Sequence, residues 1–296
     1  MTGFICIDKP ENMTSFTAAN LVKRITGSKK AGHTGTLDPM ATGVLTVALS
    51  GATRFIELIP DHEKSYTARI LLGVTTDTLD ITGTVTGNFP VSVTPCEAKE
   101  AALSFYGEQL QTPPMYSAVS KDGVRLYDLA RQGKEIEREK RKINITEIRA
   151  YDFSDNEFSL DVTCSAGTYI RSLADDIGKK LGCGAVLKSL RRTKANGFST
   201  DDCITIEKLR EICENGELGN YVMPVSRVLS QYKEVHVTAA QAVRFKNGGE
   251  LFLDRIGNPK GDGFFRVFSP ENEFLGIGEK NVETGCLAVK RVLQGE

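Results

Sequence analysis

The sequence predicts a mixed, mostly antiparallel sheet with flanking helices, followed by a small β-barrel-like module. Three observations carry that reading. Helical and strand periodicities interleave over about the first 230 residues. Those strands alternate apolar and polar side chains and lack the repeated Val/Ile runs of a doubly wound parallel sheet. After Tyr232 the texture changes to short strands separated by Gly, Asn and Pro. A chain of 296 residues has room for two such units, and 40% apolar with 25% charged residues is ordinary globular composition.

In chain order, Gly3 to Ile7 reads as a strand, and Asp8-Lys9-Pro10 turns it toward a helix opened by Thr14 or Ser15. That helix presents Ala18, Leu21, Val22 and Ile25 at i, i+3, i+4, i+7, and Gly27 stops it. Thr94-Pro95-Cys96-Glu97 is a capping box with Pro at the first helical position, opening a helix expected to run through Phe105 to Gly107. Phe158, Leu160, Val162 and Cys164 alternate as a half-buried strand. A third helix is expected from about Thr168, burying Ile170, Leu173, Ala174, Ile177 and Leu181. Beyond Tyr232, Thr238 with Gln241 caps one further helix among strands near Phe264–Phe268, Phe274–Gly278 and Leu287–Val292. We therefore expect one domain over 1–230, carrying a basic insertion at about 120–142, and a second over 233–296.

Charge and cysteine usage exclude several classes. Apolar runs such as Val44–Leu49 fall far short of the roughly 20 residues a bilayer span needs, and the N-terminus lacks a secretory pattern, so we expect a cytoplasmic chain. Seven scattered cysteines without a C-x-x-C pair argue against zinc and for small buried residues in a reducing compartment. Net charge is −1, but the basic residues cluster. Lys121–Lys142 holds eight against five acidic, and Arg171–Lys194 holds seven against Asp175 and Asp176. Taken bare, such clusters are solvated faces or nucleic-acid contacts.

Gly32-His33-Thr34-Gly35-Thr36-Leu37-Asp38-Pro39-Met40-Ala41-Thr42-Gly43 is the segment with most chemical content. Its glycines permit close backbone approach to a ligand, and Pro39 restricts Asp38 to extended geometry. The Gly-Lys-Ser/Thr ending of a phosphate loop is missing, and a metal site on His33 and Asp38 lacks a third ligand nearby. On residues alone it is equally a glycine-rich turn in which Asp38 caps a backbone amide.

This segment resembles the signature of the bacterial tRNA pseudouridine-55 synthases, the TruB family. Four more motifs in the same order strengthen the resemblance: Asp8-Lys9-Pro10 with Thr14-Ser15, Lys64-Ser65-Tyr66, Thr112-Pro113-Pro114-Met115-Tyr116-Ser117-Ala118, and Gly167-Thr168-Tyr169-Ile170-Arg171-Ser172-Leu173. Beyond about Lys233 the match is looser, to the family's PUA-type RNA-binding module. The resemblance implies the pseudouridine synthase fold and isomerisation of uridine 55 in the tRNA T loop. Asp38 would be the catalytic carboxylate, Arg171 its contact, and Tyr66 the residue that stacks on the base and handles the C5 proton. Tyr169 and Leu190 would line the uracil pocket. His33 would enter the gap left by the extruded nucleotide, and Lys9, Pro10 and Lys64 would contact substrate. The insertion would be a thumb loop closing over RNA.

Each of these residues also has a plain reading: Arg171 as a phosphate contact or surface charge, Tyr66, Tyr169 and Leu190 as core packing, His33 as an ordinary hydrogen-bonding residue. The reaction requires no cofactor or metal: one N-glycosidic bond breaks and one C–C bond forms. The expected partner is tRNA, through its T stem-loop, with no membrane, no obligatory protein partner and a monomeric state. Two alternatives stand beside this reading: a guide-dependent synthase inside a ribonucleoprotein, and a non-catalytic RNA-binding protein or RNA chaperone.

Overall fold

The computed structural model describes residues 1–60, 63–117, 120–121, 123–134 and 136–294. Among them, seven strands form the larger sheet in the order Gly3–Lys9, Thr42–Leu49, Ala185–Ala195, Lys64–Leu72, Glu157–Cys164, Arg141–Ser154, Gly107–Gln111, with two short strands attached at Ala31–His33 and Phe198–Ser199. Every pairing is antiparallel except that of Ala185–Ala195 with Thr42–Leu49. The mixed, mostly antiparallel sheet is therefore present.

Burial explains where alternation shows. Glu157–Cys164 has one face on the core, and its odd and even residues separate cleanly. Gly3–Lys9 and Thr42–Leu49 are covered on both faces, and so read as continuous apolar runs. One face packs with Phe55, Leu58, Val225 and Val228, the other with Ala18, Val22 and Leu209 of the helices Ser15–Ile25 and Ile206–Glu214.

Two helix boundaries differ from expectation. The helix opened by Thr94 is Pro95–Leu103, and its capping box is present. It ends before Phe105 because Ser104 caps it, its N–H bonding to Glu100 and its hydroxyl to the Ala101 carbonyl at 2.7 Å. The third helix is Ile170–Leu181, beginning two residues later than expected. Gly167, at φ +84°, and the extended Tyr169 precede it. No helix of the described residues is long and apolar enough to cross a membrane. Four cysteines are buried as expected, but Cys96 stands exposed in the first turn of Pro95–Leu103.

A second sheet orders Lys233–His236, Gly263–Phe268, Phe274–Asn281, Cys286–Val292 and Leu251–Phe252, covered by the helix Ala239–Lys246. It meets the short helix Ser50–Leu58, which packs on the larger sheet: the ring centroids of Phe55 and Phe274 lie 6.0 Å apart, and the Tyr232 hydroxyl donates to the Leu58 carbonyl at 2.8 Å. In the basic segment at about 120–142 the described residues form the pair Ser120–Lys121 with Val124–Arg125 and the helix Leu126–Arg131. Positions 122 and 135 of that segment lie outside the described residues.

Candidate active site

The loop carrying Asp38 runs between the strands Ala31–His33 and Thr42–Leu49, and buried side chains hold it at nearly every step. Arg192, 2% exposed, donates to the carbonyls of Gly35 at 3.1 Å, Thr36 at 3.3 Å and Val44 at 2.8 Å. Ser15, in the first turn of its helix, accepts from the Leu37 N–H at 2.8 Å and donates to the Leu37 carbonyl at 3.1 Å. Lys9 Nζ donates to the Pro39 carbonyl at 3.2 Å and to those of Pro10 and Met13 at 2.8 and 2.6 Å. Gly43 closes the loop at φ +99°, where a Cβ would lie 2.2 Å from the Arg192 carbonyl oxygen, so only glycine fits.

Asp38 meets Arg171 through both carboxylate oxygens: Nη2 donates to Oδ1 at 3.0 Å and Nε lies 2.9 Å from Oδ2. The guanidinium is itself fixed, Nη1 donating to the Thr78 carbonyl at 3.0 Å and Nη2 to that of Tyr116 at 2.9 Å. A second carboxylate, Asp80, stands 3.8 Å from Nε and is held by the hydroxyls of Thr78 and Thr82. Burial pushes the Asp38 carboxyl above its usual range of about 3.8, Arg171 pulls it back, and Asp80 pushes it up again. A third of the Asp38 side chain remains open, facing a cavity of about 420 Å³.

Tyr66 and Arg192 are direct cross-strand partners, so both side chains stand on the face that lines this cavity. Burial pushes the Tyr66 hydroxyl up to about 12, against the pull of Arg192. Leu190 is one alternation back on the same strand, opposite Ala68. Tyr169 is positioned by Gln111, whose side-chain amide accepts from the Tyr169 N–H at 2.8 Å and donates to its carbonyl at 3.0 Å. This grip takes the place of a side-chain cap and accounts for the late start of the helix.

The comparisons with known proteins agree with this geometry. Residues 23–170 match the family described as "TruB family pseudouridylate synthase (N terminal domain)". Residues 171–230 match "tRNA pseudouridylate synthase B C-terminal domain", and 234–293 match "Pseudouridine synthase II TruB, C-terminal". The chain belongs to the TruB family. The "tRNA pseudouridine synthase B" of Clostridium tetani (strain Massachusetts / E88) is 42% identical over 288 residues, covering 96% of this chain and 97% of that one. Its counterpart in Azoarcus sp. (strain BH72) is also 42% identical, covering 98% and 94%. Among solved structures, "Crystal Structure of a Cbf5-Nop10-Gar1 Complex" superposes with a TM-score of 0.75 at 25% identity, covering 99% of this chain and 85% of that one.

Against the TruB motifs, the structure sorts the expected site residues. Asp38, Lys64, Tyr66, Tyr169, Arg171 and Leu190 all line the one cavity. Lys9, Pro10 and His33 do not. Lys9 is fully buried and its ammonium is occupied by three carbonyls, so the substrate contact expected for it gives way to support of the Pro39 turn. Burial pulls this amine down to about 8. Pro10 is exposed just beyond the strand end, off the cavity. His33 is half-buried at the end of its short strand, and burial, then Arg192, lowers its pKa, favouring the neutral imidazole. Sequence reasoning missed Asp80 and the loop-holding parts of Ser15 and Arg192. Arg192 was visible only as one charge in a basic cluster, and the alternation Thr78, Asp80, Thr82 is too common a pattern to single out. Among the described residues no group of three His, Cys, Asp or Glu side chains is arranged to hold a metal.

Proposed function

We propose that this chain converts uridine 55 in the T loop of tRNA to pseudouridine, with Asp38 as the reactive carboxylate. The observation that carries the reading is the two-point Asp38–Arg171 pair, at 2.9 and 3.0 Å, in a cavity also lined by Tyr66, Tyr169 and Leu190. The names of relatives sharing 38 to 42% of their residues with this chain support the substrate class.

The chemistry fits these groups. The N1–C1′ bond breaks, the freed uracil turns, C5 bonds to C1′, and the C5 proton leaves while N1 gains one. Asp38 acts as nucleophile or base, and Arg171 keeps it ionised and aimed despite burial. Tyr66 stacks on the uracil and handles the C5 proton, while Tyr169 and Leu190 enclose the ring. Lys64 contributes a cation at the cavity wall. Taking a base out of its stack costs a few kcal/mol, and a neutral His33 suits the stacking role that fills the gap. Residues 1–230 form the catalytic unit, with the insertion at about 120–142 closing over RNA, and the part from Lys233 onward acts as a PUA-type RNA-binding module. The protein works alone, as a cytoplasmic monomer.

The test uses the purified chain and a tRNA transcript labelled with tritium at uridine C5. Release of tritium without added RNA or protein is expected, and none from a transcript carrying cytidine at position 55. A requirement for a guide RNA would transfer the chain to the ribonucleoprotein reading suggested by its likeness to Cbf5 complexes. Binding without any release would make it an RNA-binding protein only.

A further inference from the structure

Ser117 lies in the cavity wall and has no part in the scheme above. It is 6% exposed. Its backbone is satisfied, the N–H donating to the Met115 carbonyl at 2.9 Å and the carbonyl accepting from the Tyr127 N–H at 3.2 Å. Its Oγ is buried with no hydrogen-bond partner among the described residues. A hydroxyl taken out of water without a partner costs free energy, and buried ones are nearly always bonded. Ser117 belongs to the lining of the cavity, so a bound ligand is a partner within reach of a residue whose hydroxyl otherwise has none.

The surroundings fix where that hydroxyl sits. Tyr116, its neighbour in the chain, gives its carbonyl to Arg171 Nη2 at 2.9 Å, so Ser117 is tied to the guanidinium that holds Asp38. The preceding turn is anchored by Ser172 Oγ on the Thr112 carbonyl at 3.0 Å and by Arg138 Nη1 on that of Pro113 at 3.1 Å. Ser117 is therefore preorganised relative to the reacting centre, and the small size of serine alone would be served as well by alanine.

We infer that Ser117 is a substrate-binding residue whose hydroxyl bonds an oxygen of the extruded uridine, either a uracil carbonyl or the ribose 2′-hydroxyl. This rests on the reading that the cavity receives that nucleotide. The shared chemistry is a hydrogen bond made only when the nucleoside is in place.

Two signs separate this from a structural role. In Ser117→Ala, kcat/KM on tRNA should fall about tenfold, as for one lost hydrogen bond, while the thermal midpoint of the free protein stays level or rises because an unmet polar group is gone. Affinity for whole tRNA should stay within about twofold, since phosphate contacts dominate it. The partner atom is found with tRNAs carrying 2-thiouridine, 4-thiouridine or 2′-deoxyuridine at the target. The analogue lacking the partner oxygen should slow the wild type and cause no further loss in Ser117→Ala. Losses that add for all three analogues, or a lowered thermal midpoint with unchanged kcat/KM, overturn the inference. A wild type that is active beside an unaffected Ser117→Ala sinks this inference alone. A wild type inactive on every tRNA sinks the reading beneath it and the inference with it.

Discussion

Around Asp38, the backbone from Gly35 to Pro39 is held by three buried polar side chains, Arg192, Ser15 and Lys9. At the junction with the second sheet, Phe55, Phe268 and Phe274 pack ring against ring, with directional bonds beside them from the Tyr232 hydroxyl to the Leu58 carbonyl and from Arg266 to the carbonyls of Ser226, Ser230 and Tyr232. Hydrogen bonds fix position to a few tenths of an ångström, whereas apolar contact is non-directional and tolerates sliding. The difference teaches that the loop aiming the carboxylate is held by bonds from buried polar groups, whereas the junction combines apolar ring packing with the bonds of Tyr232 and Arg266. Substitutions in the first region should therefore act on turnover, and in the second on stability.

The largest expected effect is at the aimed group. Asp38→Asn preserves shape and removes the charge, so tritium release should drop to background while tRNA affinity changes by no more than a few fold, because Lys and Arg contacts to phosphate supply most of it. A parallel loss of affinity and rate would make the loop structural and erase the contrast.

Next comes the support. In Arg192→Lys, one ammonium nitrogen replaces the Nε, Nη1 and Nη2 that each reach a different carbonyl, and the planar fork that spreads them is lost. We expect kcat to fall roughly 10- to 100-fold through misplacement of Asp38, with tRNA affinity within a few fold. Ser15→Ala should act in the same direction and less strongly. An Arg192→Lys variant that lowers only the thermal midpoint would reduce this residue to ordinary packing.

How much of this was legible in the sequence depends on the range of the interaction. The boxes Thr94/Glu97 and Thr238/Gln241 and the alternation of Phe158 to Cys164 are local, and all three are present. The Asp38 loop announced itself by composition, and its pairing with Arg171 followed from the family resemblance. The contacts of Arg192 were out of reach, for they join residues about 150 positions apart through backbone carbonyls, which carry no side-chain signature. Lys9 differs for another reason: on an outward-facing strand residue its charge would meet solvent or RNA, but here Asp8 takes the outward place, pairing with Arg191, and Lys9 points in.

A smaller effect should appear in the pH profile. Asp38 must be ionised to react, and burial raises its pKa above 3.8, so the acid limb of kcat should lie above that value. The stability contribution has the opposite sense. A carboxyl whose folded pKa is raised favours the fold below its unfolded pKa, and this is lost as pH rises through the folded value, so the ionised form needed for turnover is the less stable one. Because Asp80 pushes Asp38 upward, Asp80→Asn should move the acid limb to lower pH. An unmoved limb in a folded Asp80→Asn variant would place the titrating group elsewhere.

The smallest effect on turnover is expected where the contrast predicts none. Phe274 is buried at the junction, its ring tilted against Phe55 and edge-on to Phe268, and Phe274→Ala should cost about 3 kcal/mol of stability through the cavity it leaves. None of the bonds that hold Gly35 to Pro39 passes through it. At 25 °C and saturating tRNA, kcat should remain within about twofold of the wild type while the thermal midpoint falls. If kcat instead fell with the midpoint, the rings at the junction would be aiming Asp38 as well as joining the sheets, and the division of labour between polar and apolar contacts would not hold in this molecule.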